Sequence, residues 1–154
     1  MKQSKYLKAF EQLEKELGSR HKLTGANMYV EELVKEELIS KGGIVLSGAG
    51  NVRDLQSVAF DQPLFVRVLS VGPGFYDEDG KDIPVIVKPG DIVMVATLSV
   101  KWLNSFGPII FPKGERIGLI SEDAILDIYE GEDTYEKAIE ILKAGAEYGT
   151  AKTA

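Results

Sequence analysis

The chain contains no cysteine and a single histidine, His21, among its 154 residues. Without cysteine it forms no disulfide framework and no thiolate metal site, and one histidine is too few for a histidine-based metal site. No stretch approaches the roughly 18 consecutive apolar residues that span a membrane, and no signal-peptide pattern opens the chain. We therefore expect a cytoplasmic protein that has no metal or other cofactor and no membrane partner.

Basic residues are also too few to dominate the surface. The 18 lysine and arginine residues are outnumbered by 24 aspartate and glutamate residues, which gives a formal net charge of −6. Phosphate backbones are bound by clustered lysine and arginine, so this balance argues against nucleic acid as a partner. The length is that of a single domain, and 44% hydrophobic residues are enough for a real core.

Short apolar segments separated by turn residues fill the middle of the chain. Strands are predicted at residues 27–35, 64–71, 83–87, 91–100, 115–121 and 124–129. The nearly continuous apolar run at 92–96 predicts a strand that is buried on both sides. Asp79-Gly80 marks the tip of a hairpin, and Pro89-Gly90 sets a tight turn. Several short strands with regularly spaced turns predict a β-barrel.

Three groups of side chains have expected places around this barrel. The glutamates that follow the first strand are expected to form a solvated face; they are Glu31, Glu32, Glu36 and Glu37. The carboxylates near the hairpin tip are also expected to be solvated, because their spacing is not that of an EF-hand loop; they are Asp77, Glu78, Asp79 and Asp82. The aromatic residues expected to fill a barrel end are Trp102, Phe106 and Phe111.

An amphipathic helix is predicted over residues 4–18. Its apolar stripe consists of Tyr6, Phe10, Leu13 and Leu17. Gly18 supplies the C-terminal stop. The stripe is covered either by the chain's own barrel or by a neighbouring subunit or another protein, and the sequence leaves both open.

A second helix is predicted near the C-terminus. Asp133 is the expected N-cap, and Glu136 three residues later completes a capping box. The predicted apolar stripe consists of Tyr135, Ala138, Ile139 and Leu142. Residues 150–154 are expected to fray.

The segment from Lys41 to Gly50 places an apolar triplet between glycines. The triplet is Ile44, Val45 and Leu46, and the glycines that flank it include Gly42, Gly43 and Gly48. A flexible loop with an exposed hydrophobic tip is typical of a contact surface. A short buried strand at residues 44–46 with turns at both ends is the alternative, and the pattern alone does not separate the two.

This segment is similar to the mobile loop of the GroES-type co-chaperonins (the chaperonin-10 family), in which a Gly-Gly-Ile-Val-Leu-type run docks on the large chaperonin subunit. Three other family-like stretches follow in the family's order, at residues 67–74, 87–93 and 119–128. The resemblance covers residues 23–131. It implies a mainly β fold, a GroES-like partly open β-barrel over residues 21–131. That barrel would carry a long mobile loop at about 40–63 and a roof hairpin at about 74–83. An N-terminal helix at 1–20 and a C-terminal helix and tail at 132–154 would be additions.

The resemblance also implies a function. A ring-forming co-chaperonin, expected to be a heptamer, would cap the ATP-bound chaperonin large subunit and close the folding chamber over client proteins. Ile44, Val45 and Leu46 would contact the chaperonin, while Gly42, Gly43 and Gly48 would give the loop its freedom. Rings of the family are closed partly through the first strand, where this chain departs from the usual pattern with Asn27-Met28-Tyr29. Residues 51–63 form either an enlarged base of the mobile loop or an ordinary surface insertion, and the sequence leaves both open. With this long segment and its terminal helices the chain resembles the phage-encoded branch, which would act in a host cytoplasm.

Other function classes fit the sequence less well. A GroES-like barrel could serve as a structural, decoration or adaptor module without a chaperonin, but that role does not require the glycine-flanked apolar tip. The related catalytic domain of medium-chain dehydrogenases uses cysteine and histidine zinc ligands and an attached dinucleotide domain, which this chain lacks. Gly72-Pro73-Gly74 is not expected to bind phosphate, because no helix pattern follows it. We therefore expect no enzymatic activity.

Overall fold

The computed structural model describes residues 4–33, 37–39, 63–147 and 149–151, and these are mainly β. The strands are β1 (Asn27–Glu32), β2 (Glu37–Ile39), β3 (Pro63–Val71), β4 (Phe75–Tyr76), β5 (Asp82–Ile83), β6 (Ile92–Ala96), β7 (Lys101–Leu103), β8 (Ser105–Phe106), β9 (Ile109–Ile110), β10 (Ile117–Ser121), β11 (Ile125–Tyr129) and β12 (Gly149–Ala151). The described α-helices are α1 (Lys5–Leu17) and α2 (Glu132–Ala146). Short 3-10 turns lie at Gly18–Arg20, Thr97–Ser99 and Glu122–Ala124.

Six antiparallel strands form the main sheet in the order β11-β6-β3-β1-β10-β7. Both end strands pack on the same central cluster, through Ile125 and Ile128 of β11 and through Trp102 of β7. A sheet whose two ends cover one core must curl round it. The strands therefore form a partly open barrel, which confirms the expected fold class.

The barrel core is built by the period-2 alternation of its strands. Met28 and Val30 of β1 and Val66 and Val68 of β3 point inward and are completely buried. Burying each such side chain contributes about 1.5–3 kcal/mol. These residues come from adjacent central strands, so the sheet and its core form together.

The outer face of β1 is covered as well, which the sequence did not predict for its glutamates. Glu31 is only 8% exposed and lies beside Arg67 of β3. Glu32 is half-buried, and one of its carboxylate oxygens lies 3.4 Å from Nη1 of Arg116. The expectation of a solvated face is therefore wrong for Glu31 and Glu32, because basic side chains of other segments approach both. Glu36 and the side chain of Glu37 lie outside the described residues.

Helix α1 follows its local signals closely and packs on its own barrel. Ser4 is the N-cap, and its side chain accepts a hydrogen bond from the backbone N of Leu7 at 3.0 Å. Gly18 ends the helix with a positive φ of 53°. The Phe10 ring lies 5.4 Å from that of Tyr29 on β1. Of the two alternatives for the apolar stripe, the structure shows the contact with the chain's own sheet.

Two aromatic residues that were expected to fill a barrel end lie under α1 instead. Phe106 is 6.0 Å from Phe10, and Phe111 is 5.9 Å from Tyr6, in ring-centroid distances. The expectation is wrong for these two because their rings pack against aromatic rings of the helix. Trp102 does pack against the barrel core.

Helix α2 begins one residue before the predicted N-cap. Gly131 is the N-cap and offers no side chain, so the predicted capping box of Asp133 and Glu136 is wrong. The carboxylate of Asp91, which is 2% exposed, accepts a hydrogen bond from the N of Gly131 at 3.0 Å. This long-range contact fixes where the helix starts. Glu132 and Asp133 then place negative charge in the first turn, where it favours the helix dipole.

Tyr135 anchors α2 to the outer face of the sheet. Its ring centroid is 5.0 Å from that of Phe65 on β3 and 5.6 Å from that of Tyr129 on β11. Farther along the helix, Ile141 and Leu142 remain 59% and 60% exposed. The helix is thus fixed to the barrel at its N-terminal end.

The chain after α2 does not fray at once. Glu147 has a left-handed conformation with φ 60° and ψ 34°, and β12 then runs antiparallel to β2. The pairs are Gly149 with Ile39, Thr150 with Leu38 and Ala151 with Glu37. The expected fraying is therefore wrong at residues 150 and 151, where a strand partner satisfies the backbone. Residues 152–154 lie outside the described residues.

Three predicted strands are shorter than expected. β5 ends at Ile83, since Pro84 has no N–H to extend the ladder. β6 ends at Ala96 and passes into the 3-10 turn. β1 ends at Glu32, and its irregularity lies between Tyr29 and Val30. Residues 34 and 35 lie outside the described part of the chain.

Candidate interaction surfaces

The predicted chaperonin-binding loop lies outside the described residues. This applies to the apolar tip Ile44, Val45 and Leu46, to the glycines Gly42, Gly43 and Gly48, and to the loop base up to residue 62. The structure does describe the chain on both sides of this segment. β2 precedes it and β3 follows it, and these two strands are the roots of the loop.

The two roots are held in different ways. β3 lies inside the main sheet, where Pro63 pairs with Ala96 of β6. β2 lies outside that sheet and pairs with β12. The C-terminal root is therefore part of the barrel, whereas the N-terminal root depends on the C-terminal strand of the chain.

A free apolar edge runs along β11. This strand pairs with β6 on one side only, within the part of the chain that the structure describes. Leu126 on β11 is 60% exposed and Ile86 nearby is 65% exposed. The Glu122 carboxylate accepts a hydrogen bond from the N of Ile86 at 2.7 Å and holds that residue in place. An unpaired edge with large apolar side chains is a candidate surface for another chain.

The first strand offers no such edge. β1 is paired with β3 on one side and with β10 on the other. The family resemblance implied ring closure partly through this strand, and within the described chain such a contact has no free backbone edge of β1 to use. The reason is topological, because β1 is an interior strand of the sheet.

The β4–β5 hairpin has the tip that Asp79-Gly80 predicted. The Asp77 carboxylate accepts hydrogen bonds from the backbone N of Asp79 at 2.9 Å and of Lys81 at 2.8 Å. The strands carry the exposed apolar residues Phe75, Tyr76 and Ile83. Asp77 thus serves the turn itself. Among the described residues, no three histidine, cysteine or acidic side chains converge as a metal site.

The glycines of Gly72-Pro73-Gly74 have a packing role. A Cβ on Gly72 would overlap the backbone oxygen of Gly25, and one on Gly74 would overlap that of Ile83. The N of Gly74 donates to the oxygen of Gly25 at 3.0 Å, which closes this contact. Close backbone approach explains both glycines without a bound phosphate.

A buried ion-pair network on the outer face of the sheet was missed by sequence reasoning. Arg67, 8% exposed, forks between Glu31 of β1 and Glu132 in the first turn of α2. Glu31 also accepts a hydrogen bond from the Ser4 hydroxyl at the start of α1. The sequence signal that could have predicted this network is an arginine at the centre of an otherwise apolar strand. We call these four residues the arginine network.

Two tyrosines are held in their neutral form. Burial, with help from a hydrogen bond that the Tyr6 hydroxyl donates to Glu115 at 2.6 Å, raises the pKa of Tyr6 to about 12. The hydrogen bond that Tyr129 donates to Asp127 at 2.8 Å, together with burial, raises the pKa of Tyr129 to about 12. Each tyrosine lies where a terminal helix meets the barrel.

The fold and surfaces define a small, mainly β-barrel protein with an exposed apolar edge strand. No family model matches the chain. It is 34% identical over 100 residues to the co-chaperonin GroES of Methylacidiphilum infernorum, covering 65% of this chain and 85% of the relative. It is 34% identical over 107 residues to that of Solidesulfovibrio magneticus, covering 69% and 93%. It is 33% identical over 97 residues to the co-chaperonin GroES of Desulfosudis oleivorans, covering 63% of this chain and 85% of the relative.

These relatives are matched over most of their length, so the similarity is not confined to a single motif. The chain belongs to the GroES co-chaperonin family. The two terminal helices and β12 are joined to this family barrel in one folded unit. No helix among the described residues is long and apolar enough to cross a membrane.

Proposed function

We propose that the protein is a ring-forming co-chaperonin that caps the ATP-bound chaperonin large subunit and closes its folding chamber over client proteins. Membership of the GroES family is the observation that carries this proposal. ATP hydrolysis belongs to the large subunit, so this chain needs no catalytic residues. We expect it to act in the cytoplasm. The barrel over residues 21–131 supplies the ring, and residues 40–63 supply the contact.

Ring assembly is supported by the exposed β11 edge. Leu126 and Ile86 would leave water on contact with a neighbouring subunit, and each such burial contributes about 1.5–3 kcal/mol. A contact that uses a different surface on each partner closes into a ring when the rotation is right. By family resemblance we expect seven subunits.

The chaperonin contact is assigned to Ile44, Val45 and Leu46. Burying the three contributes about 1.5–3 kcal/mol each, while ordering a flexible loop costs on the order of 1–2 kcal/mol per residue. One loop should therefore bind weakly. In a ring each further contact is effectively intramolecular, which raises the total affinity. Gly42, Gly43 and Gly48 permit the backbone to adapt on docking.

The test is native mass spectrometry of the protein alone and mixed with chaperonin and ATP. The wild type should form a closed ring and bind chaperonin only with nucleotide. Ile44→Ala and Leu46→Ser should keep the ring mass and lose binding, because each change is repeated in every subunit. Asn51→Ala, beyond the tip, is the matched control and should bind as the wild type does.

Two results would overturn the proposal. If the protein is a monomer at micromolar concentration, the proposal of a ring is wrong. If it forms a ring that never binds chaperonin, a role as a structural or adaptor module is favoured. Tip variants with wild-type affinity would move the contact to other residues.

A further inference from the structure

The two-stranded sheet of β2 and β12 lies directly before the predicted loop. β2 consists of Glu37–Ile39, and the loop residues begin immediately after it. Among the described strands, β12 is the partner of β2. The position of the N-terminal root is therefore set by the last strand of the chain.

Helix α2 carries β12 to this place from a fixed origin. The first turn of the helix is bound to the barrel through the ion pair of Glu132 with Arg67 and through the rings around Tyr135. The buried Asp91 also accepts a hydrogen bond from Gly131, just before the helix. The helix has 15 residues, which corresponds to about 22 Å at 1.5 Å per residue. It thus acts as a strut between the barrel and the loop root.

The C-cap of helix α2 is Glu147, which has a left-handed backbone conformation. Glu147 has a side chain and yet a positive φ of 60°. Such a conformation is uncommon for a residue with a side chain and persists where the surroundings hold it. The N of Glu147 donates to the oxygen of Ala144 at 3.4 Å. β12 begins two residues later, at Gly149.

We propose that β12 is a positioning strand for the chaperonin-binding loop, holding its N-terminal root in place. This role rests on the proposed function. Without β12, the last described anchor before the loop is the bond from the N of Leu33 to the oxygen of Phe65 at 3.2 Å. Loss of β12 therefore lengthens the stretch between the described anchors on the two sides of the loop. A longer free segment has more conformations to lose when the tip docks.

Loss of β12 should have a small effect on the affinity of one loop for chaperonin and a large effect on the affinity of a whole ring. Loop-closure entropy grows slowly with length. If release of the root lowers the affinity of each loop by a factor of about 1.5, the loss becomes roughly tenfold when six or seven loops bind together. A deletion should therefore be clearly visible in the binding of the whole ring.

The first test compares two C-terminal truncations of the full chain. Deletion of residues 149–154 removes β12, whereas deletion of residues 152–154 keeps it. We expect both to form the wild-type ring, and only the longer deletion to lose roughly tenfold in chaperonin affinity with ATP. Equal affinity of the longer deletion and the wild type would overturn the positioning role.

A cross-link provides the converse test. Leu38 and Thr150 are direct partners, and the Cα atoms of directly opposed antiparallel residues lie about 4.5–5.5 Å apart, within the range of about 4.4–6.8 Å that a disulfide spans. Because the chain has no cysteine, L38C with T150C would introduce a unique intrachain disulfide. The oxidised double variant should bind chaperonin at least as tightly as the wild type. A large loss on oxidation alone would show that the root must separate from β12 on docking, which would contradict the proposal.

Hydrogen exchange separates this inference from the proposed function. The amides of Glu37–Ile39 should be protected in the free wild-type ring and lose protection in the 149–154 deletion. Equal, fast exchange in both would refute the pairing. Protection in a wild-type ring that never binds chaperonin would refute the proposed function and, with it, the role of β12 in binding.

Discussion

Arg67 offers the sharpest test of how the terminal helices are joined to the barrel. Arg67 is 8% exposed, and its guanidinium pairs with Glu31 and Glu132. The change Arg67→Met keeps a long apolar side chain and removes the charge. Glu31, also 8% exposed, is then left buried without its cation. Removing one partner of a buried pair costs about 3–5 kcal/mol.

The measurement is urea unfolding of both proteins at neutral pH. Arg67→Met should lower the free energy of unfolding by about 3–5 kcal/mol, a large part of the 5–15 kcal/mol that is typical of a domain. Lys5→Gln is the matched control, because Nζ of Lys5 lies 2.8 Å from Glu115 with 61% of its side chain exposed. That surface pair should contribute less than about 1 kcal/mol. A loss below about 1 kcal/mol for Arg67→Met would refute the reasoning.

A double variant identifies the cause of the loss. Adding Glu31→Leu to Arg67→Met removes the stranded charge and leaves an apolar pair of similar size. Apolar replacement of a buried ion pair is often neutral or stabilising, so the double variant should regain most of the lost stability. Ser4 would still cap α1 through the N of Leu7. If the double variant is no more stable than Arg67→Met, the unpaired carboxylate is not the cause.

Two other predictions concern alkaline stability and backbone packing. The pKa values of Tyr6 and Tyr129 are raised to about 12, so their stabilisation is complete below about pH 10 and lost as pH rises through about 12. In urea unfolding, Tyr6→Phe and Tyr129→Phe should each reduce the fall in the free energy of unfolding between about pH 10 and pH 12 by about 1–2 kcal/mol. If the free energy of unfolding falls as much in either variant as in the wild type, the prediction is wrong. Gly72→Ala should destabilise by about 1–3 kcal/mol, and an unchanged melting temperature would show that the turn adapts.

Local signals in the sequence predicted the elements whose causes are local. Ser4 and Gly18 mark the ends of α1 because a cap acts within one turn of its helix. The apolar run of β6 predicted its burial, and Asp79-Gly80 predicted the hairpin tip. The barrel as a whole followed from these segments and from the family resemblance.

The predictions that failed did so because they depend on contacts between residues that are far apart in the sequence. Glu31 looked solvated because its partner Arg67 is remote in sequence and meets it only once β1 and β3 pair. The start of α2 depends on Asp91, which no capping rule near Asp133 can show. β12 forms because a distant segment offers it an edge. The chaperonin-binding residues remain a prediction from the resemblance.

The arginine network also bears on why two additions at opposite ends of the chain stay with one barrel. Ser4 donates to Glu31, and Glu31 and Glu132 share the guanidinium of Arg67. The start of α1 therefore holds one of the two carboxylates that pair with this cation, and the start of α2 supplies the other. If α1 leaves, Glu31 is uncovered and hydrated, which weakens its hold on Arg67. Arg67 is then less well fixed for Glu132, and the strut that carries β12 loses part of its anchor. The two helices thus act as one unit on the outer face of the sheet.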